Sequence, residues 1–323
     1  MVNCLFGQEN WNSPPYLLIL LEESFVPILS RKNSIGLICT SKEVSVLKKL
    51  LNTILKTVIF FIGWVILILI SPNIQTNNDG FLRLWWEFTP FAAVVLLSIV
   101  FVSVIEKGKI KIPIVSSGLK NSMIGIVIGI IWLGSVVVVL FLTNTMNIVG
   151  FNKVNYIWIW ILASLFNVMM QELLVRGYLY NLWKSKYHFS VATILTTVLF
   201  AAMHGGAFEA GVIPVINVIT MSIFATILLE YTGTLVAPIM AHFIWNTMGA
   251  IIFGGVSLAS DYPNLLRSTF QGNPLLSGGI YKLEGSIVVL IVNLILIVYL
   301  IQAQKNKIKQ ASFPIKLNRN AEG

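Results

Sequence analysis

Three polar groups of side chains interrupt apolar stretches of this 323-residue chain, and each holds its key residues about one helical turn apart. Gln171 and Glu172 are followed by Arg176, Phe200 by His204, and His242 by Asn246. Two of the chain's 3 histidines therefore lie inside hydrophobic runs. An ionisable side chain at mid-bilayer costs roughly 2.5–3.5 kcal/mol on insertion-derived scales, so such groups are rarely kept without a partner or a task. The residue types suit hydrolysis at a carbonyl carbon. A carboxylate and an imidazole can share the proton of an attacking water. A second imidazole and an amide can donate to the developing oxyanion, each pre-positioned donor being worth roughly 2.7–4 kcal/mol. Apolar helices around them exclude bulk water and strengthen these interactions.

Each group also has a plain structural reading. Glu172 and Arg176 stand at i and i+4, so they can simply pair and cross the apolar layer together. His204 can hydrogen-bond across a bundle with Phe200 packed over its ring. Gln171 projects roughly 100° from Glu172, towards a neighbouring helix or the rim of the same cavity. His242 and Asn246 share a helix face, and Pro238 just before them is expected to loosen the backbone. His188 follows Tyr187 at the edge of an apolar run and reads as an interfacial side chain. Glu172, His204 and His242 also match the ligand types of a catalytic zinc site, although the H-E-x-x-H pattern is absent. Zinc and a metal-free mechanism are both open at this stage.

The elements that must position these residues are membrane helices. Hydrophobic residues make up 56% of the chain and charged residues 11%, against roughly 45–50% and about 25% in soluble domains. The fold class expected is all-α, a polytopic membrane helix bundle with about eight transmembrane helices. Spans are expected near 54–71, 88–105, 122–143, 154–183, 189–204, 211–230, 233–253 and 284–303. Tyr178, Tyr180 and Trp183 at the end of the fourth read as an aromatic interface belt. The net charge of +9 is spread over short loops and tails, which favours membrane topology and argues against nucleic acid as a partner. Lysines and arginines gather before the first span, between the second and third, after the fourth and after the eighth, while the loop holding Asp79, Arg83 and Glu87 is nearly balanced. Both termini are therefore expected in the cytoplasm of a cell whose membrane the chain crosses several times. At about 1.5 Å per helical residue, Glu172, His204 and His242 fall near one membrane layer, so the three groups are expected to meet.

The chain divides into an N-terminal extension (1–39) and an amphipathic lead-in helix with two spans (40–121). A helical core (122–253), an extracytoplasmic loop with the last span (254–303) and a basic tail (304–323) follow. Thr40, Ser41, Lys42 and Glu43 have capping-box form, and the lead-in is expected to lie at the headgroups. Cys4 and Cys39 have neither disulfide-framework nor metal spacing. The apolar core Leu17–Leu21 is too short for a cleavable signal peptide and adjoins Glu22 and Glu23. Gly125 and Gly129 form a GxxxG that permits close helix packing without implying a dimer, so the oligomeric state is open.

At its three polar groups the chain resembles the CPBP family of intramembrane proteases. That family includes the Ras-converting CAAX endopeptidase and bacterial relatives linked to bacteriocin processing and self-immunity. The family signature is E-E-x-x-x-R, F-x-x-x-H and H-x-x-x-N/D on successive helices, and the match covers residues 122–253. The resemblance implies water activation by the glutamate motif with His204, oxyanion stabilisation by His242 and Asn246, and an ordering role for Arg176. It implies either a metal-dependent or a metal-free glutamate mechanism. One departure stands out: the first glutamate, the favoured base in the family, is Gln171, which cannot accept a proton as a carboxylate does. Either Glu172 does that work, or peptidase activity is weakened or lost. An endopeptidase acting on a membrane peptide or membrane protein, with lipid around it, is the leading expectation. The alternatives are a non-catalytic bacteriocin-immunity protein of the same fold, and a proton-coupled transporter with Glu172, His204 and His242 as its relay.

Overall fold

The computed structural model describes residues 41–114, 118–256 and 262–319. The extension 1–39, both cysteines, Thr40 and the side chains of the expected capping box lie outside the described residues. Among the described residues, eight apolar helices appear at the eight expected places. They are α1 (Ser41–Leu69), α2 (Asp79–Ile105), α3 (Gly118–Leu142), α4 (Ile157–Lys186), α5 (Phe189–Met203), α7 (Val212–Thr232), α8 (Val236–Ile252) and α10 (Ile287–Arg319). Two short helices, α6 (Gly205–Ala210) and α9 (Pro274–Ser277), lie between them. Six of the eight are long and apolar enough to cross a membrane, whereas α5 and α8 are shorter. The protein is thus a multi-pass membrane protein of all-α class.

Several expectations change in detail. The lead-in runs without a break into the first span, so α1 is one rod rather than a surface helix joined to a crossing one. Its Lys56 meets the buried Glu106 at 2.6 Å, and its Lys49 ammonium stands 5.0 Å from the Tyr187 ring centre. α2 starts nine residues before the expected 88, because Asn78 accepts from the Phe81 N–H and caps it. Arg83 and Glu87 are thereby helical neighbours rather than loop charges, paired at 2.6 Å. Tyr178, Tyr180 and Trp183 form no lipid-facing belt. All three are buried, and they donate to Glu106, Glu230 and Thr57. Pro238 falls in the first turn of α8, where its missing N–H had no intrahelical partner to lose, so it leaves the helix intact. His188 caps α5 by accepting from the Ser190 N–H.

Packing is tightest where α3 lies along α8. A Cβ on Gly125 would stand 2.8 Å from that of Met240, and one on Gly129 would stand 2.9 Å from that of Ile244. The GxxxG stripe is therefore spent inside the chain, seating the helix that carries His242 and Asn246. Trp132 of α3 stacks on Trp245 of α8 at 4.2 Å and 22°, and its indole N–H donates to the buried Asn293 of α10. A second apolar cluster around Phe60, Phe101 and Tyr178 joins α1, α2 and α4. A two-stranded antiparallel ribbon pairs β1 (Met146–Phe151) with β2 (Leu266–Phe270), with a bulge between Ile148 and Gly150. The segment between α8 and α10 thereby folds back onto the end of the bundle where α4 begins.

Candidate active site

α4 brings two different polar faces to the site. One face carries Ser164, Asn167 and Gln171, and the Gln171 amide donates from Nε2 to Asn167 Oδ1 at 2.8 Å. The other carries Glu172 and, one turn on, Arg176. A π-helical turn, Leu173–Leu179, starts immediately after Glu172, and another, Thr247–Ile252, starts immediately after Asn246. Such turns recur at functional sites, where they change the facing of the side chains that follow.

Glu172 and Arg176 are both fully buried. Arg176 Nη1 donates to both carboxylate oxygens, each at 2.8 Å. Its Nη2 donates to the Ser222 carbonyl at 2.8 Å and to Ser222 Oγ at 3.0 Å, and its Nε donates to Thr226 Oγ1 at 3.2 Å. His242 Nδ1 lies 2.9 Å from Glu172 Oε1, and since a carboxylate only accepts, that nitrogen carries the proton. The Phe200 ring is the hinge of the cluster. It lies 4.9 Å from the Arg176 guanidinium, 4.3 Å from the His204 ring and 6.1 Å from the His242 ring. The three sequence groups therefore do converge.

They converge in two layers. A cavity of about 240 Å³ is lined by Gln171, His204 and Asn246, together with Asn167, Ser164 and Tyr262. Glu172, Arg176 and His242 form the buried layer beside it and do not line it. Glu172, expected from the sequence to activate water, accepts from Arg176 with both oxygens and from His242 with one. His242, expected to serve an oxyanion, is held on that carboxylate. His204 ends α5 half-buried, and its Nδ1 lies 2.7 Å from the Phe200 carbonyl. A carbonyl only accepts, so Nδ1–H is the donor and neutral His204 keeps a bare Nε2. Gln171 Oε1 is buried with no hydrogen-bond partner among the described residues.

Asn167, Tyr262, Arg83 and Ser164 also line the cavity, with Glu87 and Thr247 bonded behind them, and the sequence motifs include none of these residues. Asn167 Nδ2 donates to Glu87 Oε2 at 2.8 Å, and the Tyr262 hydroxyl donates to Glu87 Oε1 at 3.2 Å. The Arg83 guanidinium lies 4.6 Å from the Tyr262 ring centre, and Ser164 meets Thr247 at 3.3 Å. Burial, then the neighbouring Glu87 carboxylate, pushes the Tyr262 hydroxyl above its ordinary range, so it stays a donor. Arg83 and Glu87 carried a signal the motifs passed over, an i,i+4 pair of opposite charge. Asn167 and Gln171 carried another, two amides one turn apart inside an apolar run.

Against a resident zinc stands Glu172, whose two oxygens are both held by a guanidinium; the Nδ1 bonds of His204 and His242 leave each Nε2 open. Among the described residues no group of three or more histidine, cysteine, aspartate or glutamate side chains is placed to hold a metal ion.

Fold and site together define a class: a multi-pass helical membrane protein that encloses an ion-paired layer beside a polar cavity. Residues 153–248, which carry all three motifs, match the family model described as type II CAAX prenyl endopeptidase Rce1-like. That match supports a CAAX-type protease family for the segment. No curated protein and no solved structure matches the chain.

Proposed function

We propose that the chain is an intramembrane endopeptidase that hydrolyses a peptide bond of a membrane-associated peptide or protein held in the cavity, with His204 as the base. The observation that carries this reading is the 2.7 Å contact of His204 Nδ1 with the Phe200 carbonyl, which leaves Nε2 as the acceptor. Gln171 and His204 both line the cavity and each keeps an acceptor, Oε1 and Nε2, suited to one hydrogen of a water molecule. As the water oxygen bonds to the substrate carbonyl carbon, its proton passes to His204 Nε2. The Asn246 amide donates to the oxyanion. Collapse of the tetrahedral centre breaks the C–N bond, and His204 returns the proton to the leaving nitrogen. General-base catalysis of this kind contributes roughly 10²–10⁴-fold. Glu172, Arg176 and His242 act as the rigid backing of the site.

The cavity lining supports access from the end of the bundle opposite its cations, since Arg83, Tyr262 and Glu284 lie there. Lys49 over Tyr187, Lys184 paired with Glu230 at 2.6 Å, and Lys307 donating to the Tyr231 carbonyl gather cations at one end of the bundle. Positive-inside orientation puts that end, and with it both termini, in the cytoplasm. A second reading, peptide binding without turnover, is favoured by one observation: an amide, Gln171, stands at the cavity where the family signature has a carboxylate. Incubating the purified chain with membrane peptides and reading the products by mass spectrometry separates the two. The hydrolytic reading expects new termini that disappear in His204→Ala. Tight binding of peptides that stay intact would establish the second reading instead.

A further inference from the structure

Glu87 lies on α2, outside the matched segment and outside the three sequence motifs. It is buried, and its bonds lead back to the cavity. A carboxylate can only accept hydrogen bonds. Asn167 must therefore turn its Nδ2 towards Glu87, at 2.8 Å, which leaves its Oδ1 facing along α4. That oxygen also can only accept, so Gln171 must offer Nε2, at 2.8 Å. Gln171 Oε1 is then the atom left for the cavity, with no partner among the described residues. Two amides that are each free to flip receive their direction from one charge. Arg83 at 2.6 Å and the Tyr262 hydroxyl at 3.2 Å hold that charge from the other side.

We propose that Glu87 is a positioning residue that, through Asn167, fixes Gln171 as an acceptor facing the cavity. The proposal rests on the hydrolytic reading of that cavity and adds a residue from a helix the family model does not cover. It also gives a physical reason for the glutamine. With Asn167 Nδ2 turned to Glu87, its Oδ1 faces position 171, where an ionised carboxylate has no hydrogen to offer, so two acceptors would meet.

Two measurements on the purified full chain in lipid nanodiscs test the relay. The first is a thermal-unfolding cycle of Gln171→Glu, Glu87→Gln and the two combined. Gln171→Glu alone should lower Tm by several degrees, and adding Glu87→Gln should recover part of that loss, because one anion again faces the amide. Losses that simply add would overturn the relay. The second is kinetic, using a membrane peptide that the wild-type chain cleaves. Glu87→Gln and Asn167→Ala should each lower kcat by about tenfold or more, through misplacement of the acceptor, with KM within about twofold. Asn167→Ala cuts the relay while leaving the Arg83–Glu87 pair in place, so it serves if Glu87→Gln folds poorly. Combining them should lower kcat no further. Unchanged kcat in the single variants, or losses that multiply, would overturn the proposal. If the wild-type chain cleaves no peptide, the hydrolytic reading fails, while the Tm cycle still decides whether Glu87 sets the amides.

Discussion

Replacing Glu172 by glutamine separates a supporting role from a chemical one. In the native protein the carboxylate accepts from Arg176 at 2.8 Å with each oxygen and from His242 at 2.9 Å, with no exposure to solvent. Glu172→Gln keeps the shape but removes the charge that balances a fully buried guanidinium. Arg176 would retain Ser222 and Thr226, which are neutral acceptors. Removing one member of a buried ion pair costs about 3–5 kcal/mol, because the other charge is left uncompensated. For a chain of this size that corresponds to a fall in Tm on the order of 10 °C. Adding Arg176→Met should restore most of the loss, since buried pairs replaced by apolar groups are often near neutral. The assay is thermal unfolding of the single and double variants, read beside peptide cleavage. Unchanged Tm with abolished cleavage in Glu172→Gln would refute the reasoning and make Glu172 the base.

Three other outcomes follow from the geometry. Gly125→Leu should destabilise by about 1–3 kcal/mol or more and weaken α3–α8 packing, since even a Cβ there meets Met240 at 2.8 Å; an unchanged denaturation midpoint would contradict it. Because the Tyr262 hydroxyl is raised, the stability it contributes is fully present below the unfolded value of about pH 10 and is lost as pH rises through the folded one. Tyr262→Phe should therefore flatten part of the alkaline loss of Tm, and identical alkaline profiles would count against the Tyr262–Glu87 bond. Cleavage should survive a strong chelator, and activity that vanishes and returns with added zinc would show that the donors rearrange around a metal.

What the sequence made legible follows from its physics. Spacing of four within apolar runs announced Glu172 with Arg176 and His242 with Asn246, because a helix puts such pairs on one face whatever surrounds it. Hydropathy located the apolar part of eight helices, while α1, α2 and α10 extend well beyond theirs, α10 as far as Arg319 of the expected basic tail. Division of the site into a cavity layer and a buried layer was not legible. It depends on how α4 is rotated against α2 and α8, and adjacent Gln171 and Glu172 end up on different sides of that rotation. The β1–β2 ribbon was missed because its partners are more than one hundred residues apart and neither short strand alternates strongly. Glu87 is not legible as a site residue, because it stands just before the apolar run and only the helical turns from Asp79 onward put it inside the bundle.

The shortness of α5 and α8 bears on where in a membrane this chain can work. At 15 and 17 residues they are about 22 Å and about 25 Å long, against a hydrocarbon thickness of about 30 Å. Lipid beside α5, whose Ile194, Leu195 and Val198 are exposed, must compress or headgroups must sink, at fractions of a kcal/mol for each ångström of mismatch. The dimple so formed draws interfacial water towards His204 and favours neighbours whose own hydrophobic stretch is short. Bilayer thickness thus becomes a selector of what reaches the cavity, acting before any side chain of the protein touches a substrate.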